Sequence, residues 1–159
     1  MQQTTHQAAL IEHGRTITYR LGAVAYIFWG LLHLIGSALA LWFTYLPTAP
    51  TWAGPLAEVV PGGWTNLEDS TMAIIRNHSW SVALFGLFAV VTAGWLNWHN
   101  SRSGWLVNLV VIGIVDTGFI LFVLIPGKIE FWLGLVGPAL WVLGAILTTI
   151  GIARQGERI

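Results

Sequence analysis

His33, Asn108 and Asp116 each interrupt a long apolar run, and His78 stands at the edge of another. An ionisable group inside such a run costs about 2.5–3.5 kcal/mol to place in a bilayer, so it marks a functional site by default. An imidazole and a carboxylate can exchange a proton, hold a metal or cofactor, or form a neutral hydrogen-bonded pair that fixes helix register. All of these uses stay open for His33 and Asp116. On spacing alone His78, followed by Ser79 and Trp80, reads as interfacial, and so does His99 beside Trp98. His6 and His13 lie in a polar N-terminal stretch and carry no signal. Cysteine is absent, so disulfides and thiolate chemistry are excluded, and a metal would need His, Asp, Glu or backbone ligands.

The elements that must position these groups follow from composition. Of 159 residues, 55% are hydrophobic and 9% charged, against about 25% charged in a soluble domain. Apolar runs at about 21–43, 79–98, 105–125 and 131–152 each approach the roughly 20 residues that cross a bilayer as a helix. The alternating segments of a β-barrel are missing. The expected fold is therefore all-α, an integral membrane bundle of four transmembrane helices in a single domain over 17–159, preceded by a mobile polar tail over 1–16. The first run, with Ala38-Leu39-Ala40 near its end, is too long for a signal-peptide core and is expected to be retained.

Arg15, Arg20, Arg102, Arg154 and Arg158 fall on one side of these runs, and only Arg76 and Lys128 on the other, five against two. The bias predicts cytoplasmic N- and C-termini in a multi-pass protein of the cell (inner) membrane. Formal net charge is zero, so no nucleic-acid partner is expected; the partner is the lipid bilayer. The 47–64 segment, rich in Pro and Gly but carrying Trp52 and Trp64, reads as an interfacial loop or a lid. Thr65-Asn66-Leu67-Glu68 reads as a capping box that starts the second helix near 66. Ala23, Gly30 and Ser37, and again Gly137, Gly144 and Gly151, recur every seven positions. Such stripes bring helices close in left-handed crossings. Tyr26 and His33 share the first stripe's face. Counting rise per residue, His33 and Asp116 reach a similar depth and His78 enters from above, so all three are expected at one cavity in the outer half.

Four stretches carry a likeness. Gly30-Leu31-Leu32-His33-Leu34-Ile35-Gly36, Arg76-Asn77-His78-Ser79 with Ala83 and Leu84, Gly118-Phe119-Ile120-Leu121-Phe122, and Gly137-Pro138-Ala139-Leu140 together resemble styrene oxide isomerase, in order and across most of the chain from residue 21. That family is a four-helix membrane enzyme using b-type haem to open an epoxide to an aldehyde. The resemblance implies haem b with His78 as the iron ligand and Arg76 at a propionate. It further implies a small apolar epoxide or related oxygenated substrate, isomerase or lyase-like chemistry, and a homo-oligomer. His33 and Asp116 are the expected catalytic groups. Leu84 or Phe85 stands where the family has an asparagine, and Ile120 where it has a tyrosine. Two other readings compete. One is a non-enzymatic membrane subunit or small-molecule binder with structural polar residues. The other is a metal-free isomerase in which Asp116 and His33 handle protons and Trp29 and Trp141 face a cation.

Overall fold

In the computed structural model, which describes residues 2–45 and 69–156, every regular element is helical. Helix α1 covers Gln2–Phe43 and α2 Asp69–Trp95, followed by a 3₁₀ turn at Asn97–His99. Helix α3 runs through Arg102–Leu124 and α4 through Phe131–Gly156. Among the described residues, four helices are long and apolar enough to cross a membrane. The capping box at 65–68 and the loop at 47–64 lie outside the described residues.

The boundaries differ from the expected ones for local reasons. Helix α1 starts at Gln2, so the stretch expected as a polar tail is helical. Residues 2–16 contain no proline, and each residue added to an existing helix gains a hydrogen bond without a new nucleation step. Helix α2 ends at Trp95 rather than 98, because Asn100 adopts a left-handed conformation (φ 54°) and the chain tightens into the 3₁₀ turn before it. The Ser101 side chain then caps α3 by accepting from the Gly104 amide. At the other end Gly127 (φ 66°) turns the chain, and the Glu130 carboxylate accepts from the Leu133 amide to start α4.

Burial is inverted relative to a water-soluble bundle. Phe28, Ile35, Val91, Ile114, Phe122 and Ile146 are exposed, while Asn97, Asn108, Asp116 and Thr148 are buried. That pattern is compatible with lipid around the helices and polar groups turned inside. Helix α1 is central and packs chiefly on α2 and α4. It meets α2 backbone to backbone: a Cβ on Gly30 would lie 2.5 Å from the Gly86 carbonyl, and one on Gly86 would lie 2.6 Å from that of Gly30.

Against α4 the seven-residue stripes interlock in antiparallel order. Tyr19 lies over Gly151, Tyr26 over Gly144 and His33 over Gly137, with virtual Cβ contacts of 2.7, 3.0 and 3.2 Å. Gly144 and Gly137 are sockets for rings from α1, which fixes the depth of His33, while Gly151 meets the Tyr19 Cβ and the Asn100 side chain. Helix α3 keeps a different period. Gly104, Asn108, Ile112, Asp116 and Leu124 are buried, a repeat of four that a helix of 3.6 residues per turn would carry off one face. Two π-helical stretches, Asn108–Ile112 and Ile120–Leu124, unwind the helix enough to hold it. They bracket the turn that carries Asp116.

Candidate functional site

His33 and His78 line one cavity of about 350 Å³ with Ser37, Ser79, Phe119 and Pro138 among its walls. The walls come from all four helices and include Gly36, where an added Cβ would meet nothing within 4 Å. Among the described residues, the lining side chains apart from the two imidazoles are apolar or serine hydroxyls. Such a space, apolar with a few convergent polar groups, is of the size that takes a small molecule.

His33 is held rigidly. Its Nδ1 lies 2.8 Å from the Trp29 carbonyl oxygen, one turn back. Its ring stacks on the Trp29 indole with centroids 3.8 Å apart and planes at 23°. The fully buried Trp29 in turn donates from Nε1 to Oδ2 of Asp116 at 2.9 Å. Trp29 was visible in the sequence only as a core or cation-facing aromatic; its spacing of four before His33 is the signal that places the two on one face.

The expected convergence of three groups is corrected here. Asp116 is absent from the cavity walls and does not pair with His33. The indole of Trp29 stands between them, because it is long enough to reach α3 from α1 and its N–H needs a partner in an apolar core. Oδ1 of Asp116 has no hydrogen-bond partner among the described residues, nor do the Tyr26 hydroxyl and the Trp141 Nε1.

His78 is exposed on one side and faces the cavity on the other, and it has no hydrogen-bond partner among the described residues. Arg76, two positions earlier, reaches the end of α1 instead of the cavity. Its Nε donates to Thr44 Oγ1 at 3.1 Å and its Nη2 to the Thr44 carbonyl at 2.9 Å, with the guanidinium 4.3 Å over the Tyr45 ring. A cation there caps the negative end of α1. Leu84 and Phe85 line a separate apolar groove with Ser81, Phe88 and Val111, which holds no titratable group. His99 is exposed, in keeping with an interfacial place. Asn108 bonds to Asn97 at 3.0 Å and belongs to the opposite end of the bundle. Among the described residues no group of three or more potential metal-ligating side chains forms.

Comparison with protein-family models, with curated proteins and with solved structures finds no match. The class that the fold and site define is an all-helical protein with four span-length apolar helices and a two-imidazole cavity.

Proposed function

We propose that this chain is a multi-pass membrane protein of the cell membrane, with both termini cytoplasmic, that holds b-type haem on His78 beside a cavity for a small apolar oxygenated compound. The single observation carrying the proposal is the cavity itself, where the uncommitted imidazole of His78 shares walls with a fixed His33. The orientation rests on the arginine bias of the sequence, and exposed Trp42 and Trp132 at one end with Trp95 at the other suit aromatic belts.

The residues present fit the group. A neutral imidazole with a free nitrogen lone pair is a haem ligand, and the open space at Gly36 leaves room beside it. Arg76 is bound to Thr44 at the end of α1 and lies outside the cavity walls, so its place at a propionate rests on the resemblance alone. Held by His78, haem iron would supply Lewis acidity toward a substrate oxygen. The chain's own contribution is an apolar enclosure with His33 fixed in orientation. Isomerisation of epoxides is the activity implied by the resemblance. Leu84 and Phe85 line a different groove, and position 120 is isoleucine, so the polar groups that would orient an epoxide are not supplied from there.

The test is the absorption spectrum of the protein purified in detergent from haem-replete cells, wild type beside His78→Ala. A Soret band that disappears in the variant is the expected result. A colourless wild type removes haem from the reading and leaves the cavity as a binder of apolar small molecules.

A further inference from the structure

We infer that the cavity takes an apolar compound carrying a hydroxyl group, whose O–H is donated to Nε2 of His33, with Trp29 and Asp116 as positioning residues. The inference rests on the cavity of the reading above and not on its haem.

The tautomer of His33 follows from its partner. A backbone carbonyl only accepts, so the Nδ1 that sits 2.8 Å from the Trp29 oxygen carries the hydrogen. The other nitrogen of the neutral ring is then a lone pair. Nε2 makes no hydrogen bond among the described residues; the ring edge fills the room over Gly137, 3.2 Å from a Cβ placed there, and the open part of the cavity that His33 lines is at Gly36. The ring cannot swing away cheaply, because it is stacked on an indole anchored to Asp116.

Pro138 lies inside α4 and has no N–H to give to the Gly134 carbonyl, and both residues line the cavity. Among the described residues the lining contains no Lys, Arg, Asn, Gln or Trp, so the side-chain donors it offers there are the hydroxyls of Ser37 and Ser79 and the imidazole of His78. An unpartnered acceptor in an apolar wall gains most from a ligand that brings a donor. An ether or epoxide oxygen would set lone pair against lone pair at Nε2, the kind of mismatch by which a hydrogen-bonding site rejects an analogue lacking the hydroxyl.

Phenol and anisole share ring and oxygen and differ in the O–H, which makes them the probes. The experiment uses full-length protein labelled with ¹⁵N-histidine in lipid nanodiscs, with the His33 signals assigned by their loss in His33→Phe. The resting spectrum is expected to show Nδ1 protonated and Nε2 bare. Phenol should shift the Nε2 resonance saturably and anisole should leave it unmoved. His33→Phe should weaken phenol binding about tenfold, the worth of one hydrogen bond at a buried acceptor. A resting spectrum with Nε2 protonated, or equal binding of the two probes, overturns the inference, and the comparison of phenol with anisole uses the wild type alone, so a variant that fails to fold does not blur it. A colourless protein that still prefers phenol removes haem and supports this inference. A haem-loaded protein with no preference does the reverse.

Discussion

At the end of the bundle where α2 turns into α3, polar side chains bond to side chains and backbone carbonyls across the chain, whereas at the other end, beside the Arg76 cap on Thr44, the two imidazoles face an open space. Asn108 donates to Asn97, Asn100 to the Gly151 carbonyl, Gln155 to the Asn100 carbonyl and Trp105 to Thr149, all within 2.8–3.2 Å. At the other end the imidazole of His78 is uncommitted and that of His33 uses one nitrogen, within its own helix. The first arrangement ties helices together; the second leaves lone pairs for something that is not part of the chain. Local geometry alone does not make the difference. His99 repeats the bond of His33, with Nδ1 2.6 Å from the carbonyl of Trp95 four residues earlier, yet it lies exposed and lines neither the cavity nor the groove described above. The contact is a common helical one, and the surroundings give it meaning.

If the helix contacts and the polar network hold the fold while the cavity serves a ligand, substitutions should separate stability from binding. The largest loss is expected for Gly30→Leu. Its first side-chain carbon would already lie 2.5 Å from the Gly86 carbonyl and 3.1 Å from the Val90 amide nitrogen, and backbone cannot step aside as a side chain can. A drop of about 3 kcal/mol, the upper part of the overpacking range, should appear as an earlier thermal unfolding in detergent. An unchanged midpoint would mean that α1 and α2 do not cross there.

Next comes Trp29→Phe, which keeps a ring and removes the N–H. Asp116 would lose the bond to Oδ2 while Oδ1 already has no partner among the described residues. Leaving that buried acceptor unmet should cost about 1–3 kcal/mol. The double variant Trp29→Phe with Asp116→Leu should recover part of the loss, since removing both partners takes away the orphan. Additive losses would break the proposed coupling between α1 and α3.

These two sites also show what the sequence made legible. The seven-residue glycine stripe of α4 predicted close packing, and it does seat rings from α1. What the stripe could not reveal is which residue meets which glycine, since that depends on pairing 19, 26 and 33 with 151, 144 and 137 across more than a hundred residues of chain. Asp116 and His33 were recognisable as costly polar groups at similar depth. Their separation by Trp29 was not, because depth along an axis leaves rotation about it undetermined. In α3 the repeat of four among buried residues fits a straight α-helix poorly, and only the two π-helical stretches explain how Asn108 and Asp116 share a face. The start of α1 was obscured by composition, because a polar stretch without apolar periodicity looks like a tail even where it continues a helix.

A smaller effect is expected in the network. Asn108→Leu removes one interhelical bond, to Asn97, and interhelical side-chain bonds in membrane bundles average about 0.6 kcal/mol. The Oδ1 of Asn108 is itself without a partner among the described residues, so its removal offsets part of the loss. A destabilisation well above that average would give the network a larger share in the fold than the comparison assigns it.

The smallest stability effect belongs to His78→Ala, and it is the sharpest test of the contrast. His78 is exposed and makes no hydrogen bond among the described residues, so no packing or polar partner is lost with it. The thermal midpoint of the ligand-free protein should stay within about 0.5 kcal/mol of wild type, as for a surface position. Any ligand bound through His78 stabilises only the folded state, in proportion to the logarithm of its concentration over its dissociation constant. A difference between wild type and variant should therefore appear when haem is present and vanish when it is withheld. An equal difference in both conditions would make His78 a structural residue, and the two ends of the bundle would then differ in degree rather than in kind.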